Sequence, residues 1–284
     1  MNPGNGGEAL HRTDDARRRF PGLVAGLPGR FGCEVHAFVL MDNHYHWVLE
    51  TPKANLVEGM TWFQNAITRR INARNRLWGH LFGGRYKAIL IEGSLSAIGH
   101  RRRWQRDYLS EVIDYVHLNP ARARIAGPAN AERPSVADFR CSSLAMGYAL
   151  PPKKRPPHLH GDTFTHFGFD DTTEGRRAFV RRLDEIAAAE AEIELPPGEP
   201  NTIDRLSELF ERGWVHGSET FRELVLDAFA PKSKDKPSAT TNSNYRSSEL
   251  GKAYTEAEAR RLLAEGLEHF GLGEAALRKT PKGD

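Results

Sequence analysis

The stretch "VHAFVLMDNHYHWVLE", Val35 to Glu50, decides the fold, because it consists of two apolar runs separated by an Asp-Asn pair at 42–43. β-Branched and aromatic residues dominate both runs, which is typical of strands, and Asp-Asn favours a turn. The stretch therefore predicts a β-hairpin. On its second strand, His44 and His46 point to one side and the aromatic residues that follow each of them point to the other.

The two histidines allow two interpretations. Imidazoles at i and i+2 on a strand lie roughly 7 Å apart at the backbone and can converge on one metal ion. Ordinary strand histidines that make hydrogen bonds would look the same. His158 and His160 have the same spacing but stand in a proline-rich segment without a strand pattern, and we do not expect them to bind metal. Spacing alone therefore leaves the choice open.

The segments after the hairpin complete the predicted fold. Apolar residues recur at helical spacing between 55 and 75, a strand is predicted from Tyr86 to Glu92, and "RDYLSEVIDYVHLNP" predicts a helix that Pro120 ends. This order predicts an α+β protein: a ferredoxin-like or RRM-like antiparallel sheet with helices on one face, followed by a helical C-terminal extension.

Two polar residues of that last helix are candidates for chemistry. At about 100° per residue, Tyr115 lies at the edge of the apolar stripe, and Asn119 is one turn further on. The predicted helix therefore places a phenol oxygen and an amide oxygen side by side. The alternative is an amphipathic tyrosine at the rim of the core and an asparagine that ends its helix.

Charge is distributed unevenly along the chain. Residues 61–125 contain 12 Lys/Arg against 4 Asp/Glu, whereas residues 161–230 contain 7 against 16. A basic segment of this kind is typical of contact with a polyanion, although a solvated helix surface would also account for it. Among the interspersed aromatic residues, Trp62, Phe63, Trp78 and Trp104, the best candidate for base stacking is Trp104. The basic candidates for backbone contacts are Arg69, Arg70, Arg74, Arg85, Lys87, Arg101, Arg102 and Arg103.

Three motifs in order, "VHAFVLMDNHYHWVLETP", "GHLFGGRYKAILIE" and "DYVHLNPARARI", resemble the single-tyrosine HUH transposases, and most closely their REP-associated tyrosine transposase branch. The resemblance implies that His44, His46 and Asn119 hold one Mg²⁺ or Mn²⁺. It implies that Tyr115 attacks phosphorus in single-stranded hairpin DNA and forms a 5′-phosphotyrosine. Cutting and rejoining of strands would follow without ATP.

The resemblance also divides the chain. Residues 1–150 would form the HUH nuclease domain, with its first strand largely missing. Residues 151–230 would form a helical extension, with helices at 179–189, 203–212 and 221–228. A flexible linker at 231–249 and a partial, helix-turn-helix-like segment at 250–284 would follow.

The N-terminus lacks the apolar core of a signal peptide and no run is long enough to span a membrane, so we expect a cytoplasmic protein that does not bind membranes. We also expect a monomer or homodimer. The cysteines, Cys33 and Cys141, are expected to be reduced.

Three alternatives stay open. Tyr108, two turns before Tyr115, is a rival nucleophile, but no asparagine follows it at i+4. A decaying or domesticated relative would bind hairpin DNA without cutting it. An RNA-binding sheet of the RRM type would instead stack bases on exposed strand aromatics such as Tyr45 and Trp47.

Overall fold

The structure is a computed structural model that describes residues 2–3, 20, 22–76, 78–82, 86–93, 108–159, 162–192 and 213–228. In chain order its elements are β1 (Asn2–Pro3), α1 (Gly26–Phe31), β2 (Glu34–Leu40), β3 (His44–Glu50), α2 (Leu56–Asn75), β4 (Leu90–Ile91), α3 (Tyr108–Arg122), α4 (Asp162–His166), α5 (Thr173–Glu192), β5 (Val215–His216) and α6 (Glu219–Ala228). The α+β class and the helical C-terminal part are confirmed.

The chain forms two compact units. One contains residues 1–88 and 93–206, and the other contains residues 89–92 and 207–284. The helical patterns predicted at 179–189 and 221–228 correspond to α5 and α6. The pattern at 203–212, the linker and the C-terminal segment lie outside the described residues, and the domain boundaries stay predictions. In the part of the chain that the structure describes, no helix is long and apolar enough to cross a membrane.

The predicted hairpin is present as β2 and β3, paired antiparallel with Phe38 opposite Trp47 and Val39 opposite His46. The other edge of β3 pairs with the two residues of β1, which lie opposite His44 and Tyr45. The strand order is therefore β1-β3-β2. In the described part of the chain, the first strand has two paired residues. The sequence predicted that this strand would be largely missing.

The two faces of β3 contact different helices. The Tyr45 ring lies 5.6 Å from the Phe63 ring of α2 between centroids, and the Trp47 ring lies 4.7 Å from it. His46 points to the opposite face, where its ring contacts Tyr115 of α3. The structure thus adds a helix on the second face of the sheet. Because Tyr45 is only 1% exposed and Trp47 packs against the same core, neither offers the exposed face for base stacking that the RRM-type alternative requires.

Helix α3 continues through Pro120 to Arg122, so the prediction that Pro120 ends it is wrong. A proline lacks an N–H and removes only one helical hydrogen bond. Other groups hold the following turn: the N–H of Ala123 donates to the Asn119 carbonyl (3.1 Å), and that of Ile125 donates to the Pro120 carbonyl (2.8 Å). The continuation places Arg122 on the helix.

Helix α3 packs against both the hairpin and helix α5. Arg182 of α5 donates two hydrogen bonds to Asp114 of α3, at 2.8 and 2.6 Å. At the start of α5, the buried Arg176 donates to the Gly147 carbonyl (2.8 Å) and to Asp171 (2.7 Å). Charged hydrogen bonds thus fix α5 at its start and along its length.

Of the strand predicted from Tyr86 to Glu92, the structure contains only β4, which belongs to the second unit. β4 pairs in parallel with β5 of the second unit. The N–H of Leu90 donates to the Trp214 carbonyl (3.0 Å), and the N–H of Glu92 donates to the His216 carbonyl (2.8 Å). The prediction erred because the partner strand lies more than 120 residues away, and a local pattern does not reveal such a partner.

Ser143 joins β2 to α3 in the core. Its hydroxyl donates to the Phe38 carbonyl (3.2 Å) and accepts from the Phe38 N–H (2.9 Å). It also lies 2.8 Å from Nε2 of His117. Burial lowers the pKa of His117 to about 3, so its ring is neutral. Because the hydroxyl proton is already donated to Phe38, Nε2 of His117 must be the donor to Ser143.

Ser143→Ala should lower the free energy of unfolding by about 3 kcal/mol, because the Phe38 N–H and Nε2 of His117 would both lose a buried acceptor. Urea unfolding followed by circular dichroism would measure the change. Thr61→Ala, an exposed substitution on α2, should change it by no more than about 0.5 kcal/mol. Equal effects of the two substitutions would contradict the role given to Ser143.

Candidate active site

His44 and His46 lie on the same side of β3, as the alternation of the strand predicts. Their ring centroids are 4.9 Å apart and the ring planes are nearly perpendicular, at 87°. Nδ1 of His44 lies 2.7 Å from Oδ1 of Asn43 in the preceding turn, and this contact orients the ring. The pair is therefore close enough for both rings to contact one small group.

Both histidines are neutral imidazoles at neutral pH. His46 is 6% exposed, and burial holds its pKa well below the usual value, with a smaller effect from nearby His44. Burial also lowers the pKa of His44, and a side-chain hydrogen bond with Asn119 partly offsets this shift. A neutral imidazole is the form that binds a metal ion, so no proton has to be displaced.

Helix α3 brings Tyr115 and Asn119 to these histidines. The Tyr115 ring lies edge-on to the His46 ring, with 5.5 Å between centroids, and the Asn119 side chain is hydrogen-bonded to His44. Tyr115 and Asn119, one turn apart on α3, thus contact His46 and His44, which are two residues apart on β3. All four residues that the sequence singled out meet at one place.

Tyr115 is 7% exposed, which corrects the prediction that it lies at the rim of the packed face. Helix α3 packs against the strands of the hairpin, and α5 also packs against it. The Arg122 guanidinium also lies over the Tyr115 ring, with 5.1 Å from Cζ to the centroid. The pattern of α3 does not reveal α5, and the prediction that Pro120 ends the helix left Arg122 outside it. Tyr108, the rival nucleophile, is half-buried at the first residue of α3.

A second group of possible metal ligands lies at the other end of the hairpin. Ligand atoms of Glu34, His36 and Glu50 all fall within 4.8 Å of one another, and Nε2 of His36 lies 3.3 Å from Oε2 of Glu50. Sequence analysis missed this group, although Glu34 and His36 have the same i, i+2 spacing as the predicted pair. Its Glu50 is exposed, and the group includes none of the four residues at the candidate site.

The residues predicted to contact DNA are only partly described. Arg69, Arg70 and Arg74 are exposed on α2, and Lys87 is exposed beyond it. Trp78, which follows α2, is 98% exposed, an unusual position for so large an apolar side chain. The other predicted residues lie outside the described part of the chain: Arg85, Arg101, Arg102, Arg103 and Trp104.

The donor set of the candidate site suits a divalent cation. Two neutral imidazoles and one amide oxygen leave room in an octahedron for phosphate oxygens and water. The nitrogen ligands favour Mn²⁺, since Mg²⁺ prefers an all-oxygen environment. His44, His46 and Asn119 therefore fit the ion that the resemblance implies.

Comparison with known families supports this interpretation of the hairpin. The family model described as "Transposase IS200 like" matches residues 10–101. The matched segment contains both histidines and α2, and it ends before α3, which carries Tyr115 and Asn119. No curated protein and no solved structure matches the chain.

If the ion binds at the candidate site, His44→Ala and His46→Ala should each weaken Mn²⁺ binding at least tenfold, because each removes one of two nitrogen ligands. The electron paramagnetic resonance signal of free Mn²⁺ measures binding directly. His36→Ala is the matched control and should bind as the unchanged protein does. The reverse pattern would assign the ion to the Glu34–His36–Glu50 group.

Proposed function

Residues 10–101 of this chain match the family model described as "Transposase IS200 like", and on that premise we propose that the protein is a DNA strand transferase that uses Tyr115 as its nucleophile. It would cut and rejoin single-stranded hairpin DNA through a 5′-phosphotyrosine, with one Mg²⁺ or Mn²⁺. The finer assignment to the REP-associated branch rests on the three sequence motifs.

One observation supports this proposal above all others. A tyrosine and an asparagine from α3 meet two neutral histidines from β3, with a ring-to-ring distance of 5.5 Å between Tyr115 and His46. A structural tyrosine of the core would have no need of two imidazoles and an amide beside it. A nucleophile that attacks a phosphodiester needs such a group to hold the phosphate.

The proposed step exchanges one ester bond for another. The phenol oxygen of Tyr115 attacks phosphorus, a bond forms between that oxygen and the 5′ phosphate, and the bond from phosphorus to the 3′ oxygen breaks. The phenol loses its proton, and the departing 3′ oxygen gains one to become a hydroxyl. Because the ester energy is kept in the phosphotyrosine, a 3′ hydroxyl can reverse the step without ATP.

His44, His46 and Asn119 would hold the cation in this proposal. When bound, it would polarise the scissile phosphate and neutralise charge that develops there. The side-chain hydrogen bond between Asn119 and His44 keeps the donors from α3 and β3 together. The 87° angle between the histidine rings gives their nitrogens different directions of approach.

The DNA would lie across the basic side of α2. Arg69, Arg70 and Arg74 are exposed there within two turns of the helix, and Trp78 offers a face for base stacking. We place this activity in the cytoplasm, in a monomer or homodimer.

A relative that only binds hairpin DNA is the second candidate. The low exposure of Tyr115 favours it, since the phosphate has to reach a nearly covered phenol. The covalent intermediate distinguishes the two candidates.

Tyr115→Phe should abolish the covalent adduct between the protein and a hairpin oligonucleotide in Mn²⁺, because the attacking oxygen is removed. A denaturing gel with 5′- and 3′-labelled oligonucleotides would show the adduct and the end of the DNA that is attached. Tyr108→Phe is the matched control on the same helix and should form the adduct normally. An adduct that survives Tyr115→Phe would contradict the choice of nucleophile, and binding without any adduct would favour the second candidate.

The double substitution Arg70→Ala and Arg74→Ala should lower the slope of log binding constant against log salt by about 1.4, the value for two lost contacts to single-stranded phosphates. Trp78→Ala should weaken binding about tenfold and leave the slope unchanged, because stacking releases no counterions. Fluorescence anisotropy in the Tyr115→Phe background measures both.

Arg177→Ala, an exposed substitution on acidic α5, is the control and should change neither quantity. An unchanged slope in the double variant would exclude this side of α2 from the DNA path.

A further inference from the structure

Arg122 touches the proposed nucleophile directly. Its Cζ lies 5.1 Å from the centroid of the Tyr115 ring and over the ring face. A guanidinium within about 6 Å of a ring centroid is attracted by the negative face of the ring. The two residues are seven apart on α3, or about two turns, so their side chains lie on one side of the helix.

Arg122 is itself held by α5. Its Nε donates to Oε2 of Glu190 at 2.9 Å, and its Nη2 donates to Oε1 at 2.7 Å. The two side chains are 16% and 21% exposed. Two parallel charged hydrogen bonds in a partly buried place fix the plane of the guanidinium, which a single contact would not do.

Two of the contacts of the Tyr115 ring restrain it from different directions. The His46 ring packs edge-on to it from β3, and the Arg122 guanidinium covers its face from α3. A phenol restrained in this way keeps its oxygen in one direction. Positioning of this kind matters for rate, since a displacement of about 1 Å at a reacting group can cost about 100-fold.

We propose that Arg122 is a positioning residue for Tyr115 and that Glu190 holds it in place, so that α5 forms part of the active site. This inference rests on the proposed function for its kinetic consequence. Glu190 lies far beyond the family match at 10–101, so the site would be completed by a segment that the match does not include.

A simpler explanation is that Arg122 and Glu190 only dock α5 on α3. The structure contains a matched pair for this comparison. Arg182 of α5 donates two hydrogen bonds to Asp114 of α3, at 2.8 and 2.6 Å, and its guanidinium lies over Phe167. The pair joins the same two helices with two charged hydrogen bonds, here through both terminal nitrogens of the guanidinium, and this guanidinium does not cover Tyr115.

The test compares Arg122→Gln, Arg122→Lys and Glu190→Gln with Arg182→Gln in the full chain. At saturating hairpin oligonucleotide and Mn²⁺, Arg122→Gln should slow adduct formation between about tenfold and 100-fold, with its Kd for the oligonucleotide within twofold of the unchanged protein. Glu190→Gln should slow it less. Arg122→Lys should recover part of the rate, because an ammonium also interacts with the ring face.

The control Arg182→Gln should lower Tm as much as Arg122→Gln does and leave the rate within twofold. Equal losses of rate in the two variants, or an unchanged rate in Arg122→Gln, would overturn the inference.

A second measurement does not depend on activity. In protein with ¹³C-labelled tyrosine, the ring resonances of Tyr115, assigned by their loss in Tyr115→Phe, should shift in Arg122→Gln and Glu190→Gln but not in Arg182→Gln. Unchanged resonances in Arg122→Gln would overturn the inference. If the unchanged protein forms no adduct, the proposed function fails, and these resonances still decide whether Arg122 positions the ring.

Discussion

The alternation of side chains along β3 is the constraint on which the rest of the structure depends. Odd-numbered aromatic residues pack against α2 and the hydrophobic core, and the even-numbered histidines face α3. A slip of one residue in the pairing with β2 would exchange the two faces and bury imidazoles in an aromatic core. The aromatic cluster around Phe63 therefore fixes the direction of His44 and His46, although it does not touch a reacting group.

The position of helix α3 depends on the direction of the β3 side chains and on a second set of contacts. The helix packs against both the hairpin and α5, and its charged residues at 114 and 122 are each matched by a residue of α5. A partly buried charge that loses its partner costs several kcal/mol, so both pairs have to be complete. The position of the candidate nucleophile is thus set by residues on three different elements, and two of them contribute charges.

Much of the fold and of the candidate site could be predicted from local patterns. The hairpin follows from strand composition around an Asp-Asn turn, and the meeting of His44, His46, Tyr115 and Asn119 follows from two short spacings and a resemblance. Contacts between distant segments could not be predicted. Arg122 and Glu190 are 68 residues apart, and β4 pairs with a strand near residue 215. Such pairings leave no periodicity in either segment. The burial of Tyr115 and the pairing of β4 with β5 were therefore missed for the same reason.

The segment around Ser143 has a consequence for how copies of the protein can meet. β2 lies at the margin of the sheet, where free N–H and C=O groups would attract a strand from another molecule. The Ser143 hydroxyl forms hydrogen bonds with both the N–H and the carbonyl of Phe38, and the Leu40 N–H donates to the Cys141 carbonyl at 2.9 Å. Along this part of β2 the backbone is already saturated, and β1 protects the opposite margin beside His44. A foreign strand therefore cannot add to β2 at Phe38 or Leu40, or to β3 where β1 already pairs with it.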